Sequence, residues 1–173
     1  MDRLARVADL SLRARALQLF VRESAPVDPA ACSVRVGRER ATLQQLYGTM
    51  QAAAPELKIC RPEQASCDCA PDATLMQSAA RAVVVVGQSL ADLDAALATG
   101  PAGLAALSDG ALSYPGGRVE AALETMCEAV DLYVDLAAGR PLMTARIAPI
   151  TPSSPPAARV PVRPAAGLPL LVR

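Results

Sequence analysis

Apolar residues recur at alternating spacings of three and four in four segments of the chain, which is the period of an amphipathic α-helix. The segments cover residues 2–23, 38–54, 73–99 and 118–138. The sequence therefore predicts an all-α helical bundle of about four main helices. The four stripes are Leu10, Ala14, Leu17 and Val21; Leu43, Leu46, Tyr47 and Met50; Ala79, Val83, Val86, Leu90, Leu93 and Leu97; and Val119, Leu123, Met126, Val130, Tyr133 and Ala137.

Capping residues and helix breakers mark the ends of these segments. Asp2 and Asp72 are predicted N-caps, because a short acidic side chain can accept hydrogen bonds from the first free amides of a helix. Prolines in residues 24–32 are expected to stop the first helix. Gly100 with Pro101 and Gly139 with Pro141 have the order expected just past a helix C-terminus. In the first helix, Leu12, Leu19 and Phe20 are expected to widen the apolar face.

Two short segments have no clear helical period. Residues 58–72 contain two prolines and are predicted to be a loop. Residues 102–113 are apolar but short, and they are predicted to add one or two helical turns before Tyr114 and Pro115.

Four consecutive valines, Val83 to Val86, precede Gly87 and could form a strand that leads into a phosphate-binding turn. Such a turn needs several glycines or a Gly-Lys-Ser/Thr motif, and neither occurs here. A parallel sheet would also need further β-branched runs, and residues 32–36 offer the only short one. The helical register is therefore favoured, with Gly87 allowing a neighbouring helix to approach closely.

The chain is predicted to comprise a helical bundle domain, residues 1–139, and a proline-rich tail, residues 140–173. The tail has eight prolines, five arginines and no acidic residue, so it is expected to be extended or disordered. It contains Pro-x-x-Pro spacings with basic neighbours, a pattern that can bind an aromatic-lined groove. The candidate partner-binding residues are Arg159, Pro161, Arg163 and Pro164.

The net charge of zero conceals a segmental pattern. Residues 1–61 carry ten basic and six acidic residues, residues 62–139 carry two and eleven, and the tail carries five and none. The preferred interpretation is that oppositely charged helices pair within one bundle. A basic surface that binds an anionic partner is the alternative.

The chain lacks histidine, so neither a Ser-His nor a Cys-His catalytic arrangement can be built. Glu124 and Glu128 have the one-turn spacing of paired carboxylates, but a solvated helix face is the better explanation. The sequence therefore predicts no enzymatic activity and no cofactor.

Four of the five cysteines, Cys32, Cys60, Cys67 and Cys69, could in principle form a four-cysteine zinc site. Their spacing departs from the usual paired Cys-x2-Cys pattern, so no metal site is assigned. Disulfide pairing of Cys60 with Cys67 or Cys69 is a further alternative, and reduced thiols are favoured. Cys127 is expected to pack as a small apolar residue.

These exclusions predict a non-enzymatic protein–protein interaction or assembly protein: a small adaptor, a complex subunit or a virion-associated structural protein. The alternatives are a zinc-binding regulatory module and a viral Bcl-2-like groove protein that binds a partner helix. Protein partners and homo-oligomers are expected, peripheral membrane contact remains open, and nucleic acid is not expected. No transmembrane segment or secretory signal is predicted, which favours an intracellular location over the weaker mitochondrial alternative. The arginine-rich composition is typical of a GC-rich genome.

Overall fold

A computed structural model describes residues 3–59 and 71–140, and within them four α-helices surround one apolar core. The prediction of an all-α bundle is confirmed. The tail beyond Arg140 and the predicted N-cap Asp2 lie outside the described residues. The elements are α1 (Arg3–Ser24), α2 (Pro29–Ala53), α3 (Ala73–Ala98), β1 (Leu107–Asp109), β2 (Leu112–Tyr114) and α4 (Gly117–Ala137).

The four helices form an antiparallel ring in which α1 and α3 each pack against both α2 and α4. Pairs of side chains fix the directions. Arg22, near the end of α1, contacts Glu120 at the start of α4, and Arg40 in the first half of α2 contacts Asp94 late in α3. In these two pairs the helices therefore run in opposite directions, and the four-residue connection from α1 to α2 favours the same arrangement there.

The predicted apolar stripes meet in the core. Leu97 and Ala137, at the ends of their stripes, and Tyr47 are half-buried, and every other stripe residue is buried. Tyr133 is the largest fully buried side chain, and its hydroxyl donates a hydrogen bond of 3.4 Å to the Met50 carbonyl oxygen. This bond gives the buried Tyr133 hydroxyl a hydrogen-bond partner.

The valine run of α3 is helical, as its register predicts. Val83 and Val86 are buried, whereas Val84 and Val85 are exposed. Gly87 lies against α2, because a Cβ added there would come within 2.8 Å of the Tyr47 hydroxyl oxygen. Gly87 is therefore a close-packing contact between α2 and α3.

The predicted start of α2 near Arg38 is wrong, because the helix begins at Pro29. The Asp28 side chain accepts a hydrogen bond of 2.9 Å from the Ala31 amide and caps the helix. Proline is compatible with the first helical position, where its missing amide hydrogen would have no helical partner. Residues 32–36, the short β-branched run, are consequently helical.

The prediction of one or two helical turns in residues 102–113 holds only at the start of the segment, where residues 102–104 belong to a 3-10 turn. After a 3-10 turn at Gly100–Leu104, the chain forms the antiparallel hairpin of β1 and β2, with Asp109 paired to Leu112. Gly110 begins the two-residue loop with φ of +57°. Tight hairpin loops favour glycine at such a position, and the Asp-Gly pair was the sequence signal for this turn.

The ends of α3 and α4 agree with their predicted caps. The Asp72 carboxylate accepts hydrogen bonds from the Thr74 and Leu75 amides at 2.9 and 3.1 Å. After α4, Gly139 has φ of +64°, and the Gly139 and Arg140 amides donate to carbonyls of the last helical turn. This pair of bonds is the Schellman arrangement that closes many helices.

Candidate interaction surface

The solvent-facing side of α1 is apolar along most of its length. Leu12 is 70% exposed and Leu19 is 48% exposed, so the expectation that both would widen the core face is wrong. They share one face of the helix with three alanines, and all five lie opposite the buried row that contains Leu10. The α1 stripe consists of Ala5, Ala8, Leu12, Ala16 and Leu19.

The two apolar rows follow from helix geometry. With about 100° of rotation per residue, the α1 stripe spans about 80° of the helix circumference, and the core row lies on the opposite side. Both rows have helical spacing, so periodicity alone could not exclude the outer row from the core. Phe20 lies between them, half-buried, with the Arg35 guanidinium 5.2 Å from its ring centroid.

Charged side chains border the α1 stripe on both sides. Arg6, Asp9 and Arg13 lie on the side toward α2, where they line a groove together with residues of that helix. Arg15 and Arg22 lie on the side toward α4, where each contacts an acidic residue. The stripe is thus an uncharged row between two charged rims.

The groove between α1 and α2 has a volume of about 660 Å³ and a mixed charge. Arg3 contacts Glu56 at 2.5 Å, and Arg13 contacts Asp9 at 3.5 Å, so two of its arginines already have an acidic neighbour. Gly48 and Ala52 of α2 also line it. The groove therefore offers polar edges to a partner and no enclosed pocket.

A second groove, of about 410 Å³, lies between α3 and α4. Small side chains line most of it, and Asp92 and Arg118 supply its charges. The predicted carboxylate pair lies elsewhere on α4, with Glu124 half-buried and Glu128 exposed. These two carboxylates are part of the outer helix surface.

Glu120 differs from Glu124 and Glu128 on the same helix, because its side chain is fully buried. Its Oε2 atom accepts a hydrogen bond of 2.8 Å from the Gly116 amide. Its Oε1 atom lies 2.8 Å from Arg22 Nε, but without the alignment of a hydrogen bond, so this contact is electrostatic. Glu120 thus connects the start of α4 to the end of α1 through these two contacts.

Other charge pairs connect the basic first half of the bundle to its acidic second half, as the segmental charge predicts. Asp131 of α4 pairs with Arg15 and accepts a hydrogen bond of 3.3 Å from the Ser11 hydroxyl. Between α2 and α3, Arg40 Nε donates to Asp94 Oδ1 at 2.6 Å, and a second bond makes this contact bidentate. Hydrogen bonding between the two lowers the pKa of Asp94 and raises that of Arg40.

Of the four candidate metal ligands, one lies among the residues that the structure describes. Cys32 is a buried free thiol in α2, and Cys60, Cys67 and Cys69 lie outside the described residues. Within residues 3–59 and 71–140, no three His, Cys, Asp or Glu side chains are placed to share a metal ion. The four-cysteine zinc site therefore stays a prediction.

The remaining thiol, Cys127, is also buried and free, in agreement with its predicted packing role. Burial, the main cause, raises its pKa to about 11, and nearby Asp131 and Glu124 act in the same direction against Arg15. Burial also raises the pKa of Cys32, with a contribution from Asp28. Both thiols are protonated at neutral pH, so neither is an activated nucleophile.

The predicted partner-binding residues of the tail, Arg159, Pro161, Arg163 and Pro164, lie outside the described residues. Among the described helices, none combines the length and the apolar character that crossing a membrane requires. Comparisons of the chain with protein-family models, curated proteins and solved structures gave no match.

Proposed function

We propose that the protein is a non-enzymatic interaction or assembly protein that binds a protein partner through the α1 stripe. The observation that carries this proposal is the apolar row from Ala5 to Leu19, exposed except at the half-buried Ala8, in a helix that already contributes a buried row to the core. Single exposed leucines are ordinary in proteins. A continuous apolar row along a helix between charged rims is typical of an interaction site.

The bundle itself has no need of this row. The core side of α1 is filled by five buried apolar residues, and the helix is connected to α4 through Arg15 and Arg22. Polar residues at the stripe positions would leave all of these contacts in place. The apolar row therefore costs solubility without contributing to the core, and a bound partner accounts for it.

The zinc-module and groove-protein alternatives have no comparable support. No observation among residues 3–59 and 71–140 favours them over a helix-face interaction. The proline-rich tail is retained as a predicted second binding element, through Arg159 and its neighbours.

The test is affinity purification of the full chain from cells that produce it, followed by quantitative mass spectrometry. Three forms are compared: wild type, the double variant Leu12→Glu/Leu19→Glu, and Val84→Glu as the control. Val84 is 69% exposed on α3, so it matches Leu12 in exposure and lies on another helix. The recovery of a partner bound through the stripe is expected to fall by about 10-fold or more with the double variant alone, because charges replace leucines that the partner would bury. Equal recovery of every captured protein, an untagged copy of the chain included, with all three forms would contradict the proposal.

A further inference from the structure

We infer that the partner of the α1 stripe is a second copy of this chain, bound through antiparallel pairing of α1 with α1 about a two-fold axis near Leu12. This inference rests on the proposed function and names the partner. Two features of α1 carry it: the spacing of the stripe and the placement of charges along its rims.

The spacing of the α1 stripe is symmetric about Leu12. Its five residues are separated by three, four, four and three positions. When two such helices run antiparallel with Leu12 opposite Leu12, Ala8 faces Ala16 of the other copy and Ala5 faces Leu19. Each outer leucine thereby meets an alanine, an alternation of large and small side chains that favours close packing. The row is about 21 Å long at 1.5 Å per residue.

The rim on the α2 side is self-complementary in this arrangement. A two-fold axis perpendicular to two antiparallel helices brings the same rim of each helix together. With Leu12 at the axis, Arg13 of one copy lies opposite residue 11 of the other, about 3 Å along the helix from Asp9. Each interface therefore contains two equivalent approaches of Asp9 to Arg13, one on either side of the axis, against one approach of the two Arg13 side chains across it.

The rim on the α4 side does not oppose the pairing. It brings together Arg15 and Arg22 from both copies, but each of these arginines already contacts a carboxylate of its own chain. Asp131 and Glu120 supply those negative charges. The like charges that meet along this rim are thus compensated within each copy.

The inference is tested by sedimentation velocity on the full chain over a hundredfold range of concentration. The wild type and Val84→Glu are expected to form dimers with the same dissociation constant. Leu12→Glu is expected to raise that constant by about 100-fold or more, because each dimer loses two buried leucines and gains two buried charges. Unchanged circular dichroism of Leu12→Glu would establish that its bundle is folded.

A charge reversal tests the antiparallel direction. Arg13→Asp places an acidic residue of each copy beside Asp9 of the other along the shared rim. The dissociation constant is therefore expected to rise by about 10-fold. The double reversal Asp9→Arg/Arg13→Asp is expected to restore the wild-type constant. In a parallel pair, the same rim would instead face Arg15 and Arg22, and Arg13→Asp alone would strengthen the dimer.

The outcomes separate this inference from the proposed function. A monomeric wild type, a dimer that Leu12→Glu leaves unchanged, or a stripe-dependent trimer would each overturn the two-fold pairing. If the wild type is monomeric and the stripe variant still loses a captured partner, the proposed function stands and the second copy is excluded. If neither dimer nor captured partner depends on the stripe, both fail.

Discussion

The outer faces of α1 and α4 differ sharply although the two helices lie side by side and each contributes a buried apolar row to the core. Along α4, the residues that face away from the core include Glu124, Glu128 and Asp135, as expected for a helix in water. Along α1, the corresponding positions carry only alanine and leucine from Ala5 to Leu19. Core formation sets the buried rows of both helices, so the outer row of α1 must be explained by a different requirement.

The largest expected difference in stability is between alanine variants of two leucines of α1 that lie two positions apart. Leu10 is 5% exposed on the core side, and Leu10→Ala should lower the free energy of unfolding by about 2–4 kcal/mol by leaving a cavity. Leu12→Ala should change it by less than about 0.5 kcal/mol. Urea unfolding, at a concentration low enough to keep the chain monomeric, measures both. Similar losses for the two variants would mean that Leu12 supports the core after all.

A second pair of variants compares a buried and an exposed acidic residue of α4. Glu120→Ala should cost about 2–3 kcal/mol of unfolding free energy, because it leaves the Gly116 amide without its acceptor and Arg22 without its counter-charge. Glu128→Ala, at an exposed position, should cost less than about 0.5 kcal/mol. Thermal and urea unfolding of both variants measure this difference. Equal stability of the two would show that the buried carboxylate contributes nothing to fastening α4 to α1.

The smallest effect concerns the seam between α2 and α3, where Arg40 lowers the pKa of Asp94. Since the folded pKa lies below the unfolded value, this contact stabilises the bundle at neutral pH. That contribution is lost as the pH falls below about 4 and through the folded pKa. Asp94→Asn should be slightly less stable than wild type at pH 7, with the difference shrinking toward pH 3. Asp92→Asn, which leaves the Arg40 contact intact, is the control in urea unfolding at both pH values, and a difference as large at pH 3 as at pH 7 would contradict this assignment.

Much of the fold was predictable because periodicity and caps agreed. Asp72 and Gly139 mark helix ends that the structure places within one or two residues of the prediction. The start of α2 was missed because Pro29 was taken as a helix breaker, although after Asp28 it is a normal first helical residue. The hairpin was missed because its strands have only three residues each, too few to establish an alternating pattern.

The interaction surface was less predictable than the fold. Sequence periodicity located the core row of α1, but it could not place Leu12 and Leu19 outside the core, because a second apolar row has the same period. Glu120 had a weak signal, since it follows the Gly116–Gly117 pair by less than one helical turn. Its burial depends on how closely α1 approaches the start of α4, which is a property of tertiary packing.

The buried Cys127 thiol provides a way to time the separation of α1 from α4. It lies in the field of the Arg15 and Asp131 pair between these helices, and its pKa is about 11. An alkylating reagent reacts with the thiolate, so modification of Cys127 has to await an opening of this seam. The alkylation rate of the peptide that contains Cys127, followed by mass spectrometry, therefore reports how often the seam opens. A partner that holds α1 in place should lengthen the lifetime of the unmodified thiol.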